Sequence, residues 1–183
     1  MRKLSVKSIV AIGIGAALFF VLGRFVAIPS GIPDTNISIQ YGVLAFIAAC
    51  FGCIPGLLAG LIGHFFIDFS WGWGVWWSWV IASAFFGCVM GLLASKLKID
   101  EGEFAMKDII LFNISQIIAH LLSWVVIAPV LDILMYGEPA NKVFVQGLVS
   151  AGINILATAI VGTLLCFAFA KTKPKTGSLE QED

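Results

Sequence analysis

The chain predicts an all-α integral membrane bundle of six transmembrane helices with both termini cytoplasmic. Three observations carry that prediction. Apolar residues make up 60% of the 183 positions and charged residues only 12%, about half the charged share of an ordinary soluble domain. Apolar runs recur along the whole length and are separated by short polar breaks. The basic residues concentrate on alternate breaks, the pattern expected when Lys and Arg stay on the cytoplasmic side.

A helix needs about 20 apolar residues to span a bilayer. Residues 8–28 supply a first span, interrupted by Arg24. The start resembles a signal peptide, but the apolar run is long and no small-x-small cleavage site stands beyond it, so a retained helix is expected. A loop at 30–36, SGIPDTN, precedes a second segment at 37–51. A GCIPG turn at 52–56 opens a short third segment at 57–69, where Pro55 fits a first helical turn because it has no amide hydrogen to lose. Residues 76–97 form a fourth and 109–134 a fifth, with Pro129 placed to kink or finish it. A sixth runs over 143–170. The expected organisation is one domain over 1–183, with about 7–171 membrane-embedded and 172–183 a loose cytoplasmic tail.

With six spans, one side of the membrane receives Arg2, Lys3, Lys7, Lys96, Lys98, Lys107, Lys171, Lys173 and Lys175, and the other only Arg24 and Lys142. Nine against two fixes the orientation, so the loops around 29–36, 70–75 and 135–142 are expected outside. A net charge of zero gives no basic footprint for nucleic acid. Cys50 and Cys53 form a CxxC, yet no second pair completes a metal site, and small apolar thiols are the simpler reading. No P-loop GxxxxGK, GxSxG or hydrolytic acid pair is present, so neither catalysis nor ATP-driven pumping by this chain alone is expected.

The segment HFFIDFSWGWGVWWSW, residues 64–79, concentrates five tryptophans and two ionisable groups. An interfacial aromatic belt accounts for some of the indoles. Their crowding at one outer boundary also suits a stacking platform for a flat, conjugated ligand. Trp76 and Trp79 share a helix side and Trp77 points elsewhere, so one subset is expected in a pocket and the other among headgroups. His64 and Asp68 share a face at i and i+4. Ionisable residues within a span are costly and usually face the interior with a partner. His64 is read as polar support, and Asp68 as either that or a ligand contact at the outer end. Asn113, Gln116 and His120 form a second stripe, with Ser123 and Trp124 beyond it. That stripe suggests a pocket wall in which Asn113 and Gln116 support neighbouring helices and His120 reaches ligand. Gln40, Tyr41, Gln146, Asn154 and Arg24 could complete the polar set, with Arg24 paired to Asp34, Asp68, Asp132 or substrate. No recognised metal motif joins His64, Asp68 and His120, and no cofactor is expected.

Ala11, Gly13, Gly15 and Ala17 give small-xxx-small pairs that permit close helix approach, either within the bundle or toward a partner.

VAIGIGAAL in the first helix, RFVAIPSGIPDTNISIQYG after it and PVLDILMYGEPANKVFVQG later resemble blocks of the substrate-binding S components of energy-coupling factor (ECF) transporters. Within them, residues 4 to 171 are similar to the ECF-type riboflavin transporter substrate-binding family, also called UPF0397. The resemblance implies a ligand-binding subunit in a bacterial cell membrane. It would capture a vitamin-class micronutrient at the outer face and join a transmembrane coupling subunit (T) and two cytoplasmic ATPases (A, A′). It implies that Ala11 and Gly15 match an AxxxA-type coupling motif, with glycine replacing the second alanine. It also implies ligand contacts from the first external loop and helices four to six, favouring Asn36, Trp76 and His120. The expected binding set is Asn36, Gln40, Asp68, Trp71, Trp76, Trp77, His120, Trp124 and Asn154. Riboflavin is the first expected ligand, because an isoalloxazine is flat, and cobalamin or another ring-bearing micronutrient is its rival. A scaffold protein with tryptophan anchors, or an enzyme using His64 and Asp68 as acid and base, would be different classes of function.

Overall fold

The computed structural model describes residues 4–31, 36–72 and 74–173. Expectations about Asp34, Trp73 and most of the tail fall outside them. Helix α1 (Val6–Phe25) starts at Ser5, whose hydroxyl accepts the Ser8 amide at 3.1 Å, and carries Arg24 in its last turn, where a cation meets the negative end of the helix dipole. Strands β1 (Ile28–Pro29) and β2 (Asn36–Ile37) follow as an antiparallel pair, Ile28 opposite Ile37 and Pro29 opposite Asn36. The sequence predicted only a loop here. The prolines and glycines that broke the helical pattern are compatible with a short edge hairpin, which corrects the purely helical reading.

Helix α2 (Gln40–Phe51) and helix α3 (Cys53–Trp71) are separated by Gly52 alone. Its φ of +95° lies where side-chain-bearing residues are strained, which allows so abrupt a reversal. The anticipated five-residue turn is thus largely absorbed into α3, with Pro55 in its first turn. Gly72, in the left-handed conformation, ends α3, and helix α4 (Trp77–Leu93) begins after Trp76. A linker with one 3-10 turn (Ile99–Glu101) leads to helix α5 (Met106–His120), whose start is fixed by the Ala105 amide donating to Asp108 Oδ2 at 2.9 Å.

Beyond α5 the chain stays helical through a π-helical stretch (Leu121–Ile127) into helix α6 (Ala128–Tyr136). The irregularity expected at Pro129 therefore takes the form of a widened turn just before it. A proline lacks the amide that would close the preceding α-helical bond, and π turns are one way to absorb the break. Helix α7 (Ala140–Lys171) has 32 residues.

Among the described residues, four helical stretches are long and apolar enough to cross a membrane: Val6–Phe25, Cys53–Trp71, Met106–Tyr136 and Ala140–Lys171. Helices α2 and α4, of 12 and 17 residues, are shorter. At 1.5 Å per residue α2 rises only about 18 Å, well short of a hydrocarbon core. Nine of its residues are buried, so it is an internal element enclosed by the longer helices, and its first turn begins below the rim of the bundle.

The tightest crossing is α3 on α4. A Cβ on Gly87 would lie 2.1 Å from the Gly56 carbonyl oxygen, and one on Gly60 2.6 Å from that of Ser83. Backbone meets backbone there, as small residues allow in lipid. Phe19, Leu44, Phe86, Met90, Phe112 and Trp124 fill the core. Lys7 pairs with Asp100 at 3.7 Å, and Gly102 lies against Ala170 and Lys173. The start of α1, the 3-10 linker and the end of α7 thus share one end of the bundle. Strands β1 and β2, Gly72, residues 74–76 and the 137–139 turn share the other.

Candidate functional site

At the hairpin end the helices part around a cavity of about 570 Å³. One wall is aromatic. Trp71 ends α3, Trp76 precedes α4, Trp79 lies in its first turn and Trp124 comes from the π-helical stretch; all four line the space. The lining is also polar, with Asn36 in β2, Ser38 after it, Gln40 and Tyr41 on α2, and Gln146, Ser150 and Asn154 spaced along one face of α7.

Two of these indoles are held by one buried carboxylate. Asp132 on α6 accepts the Trp76 indole N–H at 2.7 Å and the Trp79 indole N–H at 2.8 Å, and a third bond from the Ser78 hydroxyl. Tyr136, one turn further on, stacks on Trp76 with ring centroids 4.1 Å apart and accepts the Trp77 amide through its hydroxyl at 2.9 Å. Trp79 and Trp124 lie 5.3 Å apart, and Tyr41 meets Trp124 edge-on at 5.1 Å. Trp124 in turn donates its indole N–H to His120 Nδ1 at 3.0 Å.

At the other side of the floor, Asp68 accepts the Trp76 amide at 2.9 Å, and its second oxygen stands 3.6 Å from His64 Nε2. His64 Nδ1 bonds the Ser83 hydroxyl, which bonds Tyr41 at 2.8 Å. Gln40 fits only because α1 has Gly23 beside it: a Cβ there would fall 2.0 Å from Gln40 Oε1. Ser38 donates to that same oxygen at 2.9 Å and fixes the amide.

Of the residues expected to bind ligand, Asn36, Gln40, Asp68, Trp71, Trp76, Trp124 and Asn154 line this one cavity. Two do not. Trp77 faces away, its ring near Phe65 at 5.9 Å and almost half exposed, because it lies about 100° around the helix from Trp76. His120 is fully buried behind Trp124, stacked on Phe86 at 4.2 Å and bonded to Thr158 at 3.0 Å; it orients the indole rather than reaching the space. The stripe below it is an interhelical seam and not a pocket wall. Asn113 donates to Thr163 at 3.1 Å and Gln116 to the Ile155 carbonyl at 3.4 Å, both on α7.

His64, read as support, also lines the cavity. Among the described residues Arg24 pairs with neither Asp68 nor Asp132; its guanidinium lies 3.8 Å from the Trp71 ring centroid, a cation–π contact. Ala11 and Gly15 do not form an outer docking face either. Ala11 is buried, and a Cβ on Gly15 would stand 3.0 Å from Ile47 and 3.3 Å from Ala59. Their small size lets α2 and α3 approach α1. Gly13 and Ala17 are the exposed pair, bordering a shallow apolar groove with Phe20, Ile62 and Phe66.

Trp79 and Asp132 were not assigned to the binding set by sequence. Trp79 had a signal in its helical phase with Trp76. Asp132, twelve residues beyond the end of the His120 helix and considered only as an arginine partner, had none.

Comparison with known proteins agrees with this architecture. The family described as "ECF-type riboflavin transporter, S component" matches residues 3–171. UPF0397 proteins of Staphylococcus aureus, including those of strains MSSA476 and Newman, are 52% identical over 181 residues, covering 99% of this chain and 98% of theirs. Among solved structures, FolT bound with folic acid superposes with a TM-score of 0.62 at 19% identity, covering 88% of this chain and 98% of that one. The S component for biotin from an ECF-type ABC transporter gives 0.63 at 14% identity, with 93% of each chain covered. The extent of the match, and relatives at half identity over nearly the whole length, place this chain in the ECF-type riboflavin transporter S component family.

Proposed function

We propose that this protein is the vitamin-binding subunit of an ECF importer in a bacterial cell membrane, and that it captures riboflavin or a similarly flat, ring-bearing vitamin at the extracellular face. The observation that carries the reading is the 570 Å³ cavity, whose lining combines the indoles of Trp71, Trp76, Trp79 and the buried Trp124 with polar side chains from α2, α3 and α7. Its size and its mixture of apolar surface with a few convergent polar groups suit a small organic ligand. Indole rings suit a planar one. Indoles that converge on an opening also favour a binding protein over a scaffold with interfacial anchors.

The charge distribution supports an orientation in which the end holding both termini is cytoplasmic and the cavity opens outward. Energy would come from two ATPase subunits acting through a transmembrane coupling subunit. The exposed Gly13–Ala17 face of α1 is the surface on which that subunit would dock, since small side chains let another helix approach closely.

The test is direct binding. The purified protein in detergent is titrated with riboflavin, cobalamin, thiamine, biotin and folate, followed by tryptophan fluorescence and by equilibrium dialysis. Riboflavin is expected to bind with a sub-micromolar Kd and to quench the indoles. Trp76→Ala is expected to weaken it by roughly tenfold, the scale of losing one stacking partner. Absence of binding and quenching by every vitamin in the panel rules the reading out.

A further inference from the structure

His64 and Asp68 sit one helical turn apart on α3, and both line the cavity. Their facing atoms, Nε2 and Oδ1, are 3.6 Å apart. That is too long for a hydrogen bond of their own, and it is close enough for one planar group to engage both.

The protonation of His64 follows from its other neighbours. The Tyr41 hydroxyl and the Ser83 hydroxyl are 2.8 Å apart, and Ser83 bonds His64 Nδ1. With Tyr41 donating to Ser83 and Ser83 donating to Nδ1, the imidazole proton is on Nε2, facing Asp68. The reverse order would point the Nε2 lone pair at a carboxylate, an electrostatic conflict at this distance. The partner of the other ring nitrogen sets the tautomer.

Asp68 has spare capacity. Its Oδ2 accepts the Trp76 amide, while among the described residues no hydrogen bond reaches Oδ1. The contrast with Asp132 is clear, since three donors already converge on that carboxylate. The cavity therefore presents a donor, His64 Nε2–H, beside an acceptor, Asp68 Oδ1.

Resting on the functional reading above, we infer that His64 and Asp68 form a two-point recognition element for an uncharged N–H/C=O edge of the ligand ring, a lactam or cyclic imide, and that Asp68 is the specificity-determining residue. The ring N–H donates to Asp68 Oδ1 and the adjacent carbonyl accepts from His64 Nε2. A ligand carboxylate in the same place would meet the anion of Asp68. The lysine among the described lining residues, Lys142, does not relieve this, because it pairs with Glu138 at 2.8 Å. An analogue lacking the N–H leaves the carboxylate oxygen desolvated without a donor, the situation in which a polar site discriminates most strongly.

The experiment compares riboflavin, whose dioxopyrimidine edge carries such an N–H, with N3-methylriboflavin, by equilibrium dialysis against the full-length protein. The unmodified protein is expected to prefer riboflavin by roughly tenfold or more. In Asp68→Ala that ratio is expected to collapse toward one, with affinity for the methylated analogue little changed. His64→Gln, which keeps a donor, is expected to retain more of the preference than His64→Ala. Equal binding of the two flavins by the unmodified protein overturns the assignment without any variant having to fold. So does an unchanged ratio in Asp68→Ala, or tighter binding of a carboxylate-bearing vitamin such as folate or biotin. Failure of all vitamins to bind overturns the functional reading itself, which separates the two.

Discussion

Asp132 shows how much one side chain can organise. It is almost fully buried, on a helix far in sequence from the tryptophans it holds. Its carboxylate accepts from two indoles and one serine. Such charge-assisted bonds are stronger than neutral ones, and donors left unpartnered in a buried site cost about 1–3 kcal/mol each. Asp132→Ala is therefore expected to lower stability by about 2–4 kcal/mol, less than the sum of three penalties because the wall can relax. Asp132→Asn keeps the shape but replaces one acceptor oxygen with a donor, so it should lie between the two. Thermal denaturation of the detergent-solubilised variants, with vitamin binding measured alongside, checks this. A Tm for Asp132→Ala equal to that of the unmodified protein would remove the carboxylate from its organising role.

At the level of elements, four of the six expected spans were legible because lipid imposes a simple rule, that a stretch must be long and apolar to cross; the segments expected at 37–51 and 76–97 form shorter helices. Turn chemistry was partly legible. The GCIPG glycine at 52 marked a real reversal, but sequence overestimated the α2–α3 connection, since one left-handed residue did the work of five. The π-helical stretch was not legible. Pro129 signalled a disturbance, whereas its form depends on what α7 offers opposite. Gly147 lets α7 press against the Trp124 carbonyl, so closely that a Cβ would stand 2.0 Å from that oxygen. The side of each indole was readable from helical phase for Trp76, Trp77 and Trp79, yet the depth of His120 was not. Phase gives direction around a helix but not which neighbour stands in front.

The same backbone contacts give a test. Gly87→Ala on α4 would place a methyl group against the backbone of α3, and overpacking of this kind costs about 1–3 kcal/mol. Gly152→Ala on α7 has open space around it and should be neutral, or stabilising by up to about 1 kcal/mol from helix propensity. Thermal melts of the two proteins in one detergent should differ in that direction. Equal melting temperatures would mean that the α3–α4 crossing yields easily.

For the whole molecule, the decisive question is how a vitamin-loaded bundle engages its energising subunits. The first helix has two small-residue faces. One, Ala11 and Gly15, is spent inside against α2 and α3. The other, Gly13 and Ala17, is exposed beside Phe20 and Phe66. The proposed docking on α1 therefore falls to the exposed face, the buried one being occupied by α2 and α3. Gly13→Leu combined with Ala17→Leu adds bulk where no neighbour of this chain stands, so the Kd for vitamin and the melting temperature should stay as they were. Uptake of radiolabelled vitamin by cells that also contain the coupling and ATPase subunits should fall by roughly tenfold or more, since close helix packing in lipid tolerates little added volume. Ala11→Leu should do the reverse, lowering stability before it affects coupling. Full uptake by the double-leucine protein would place the docking surface elsewhere. Lost binding in that protein would show that the two ends of the bundle are linked through α1 itself.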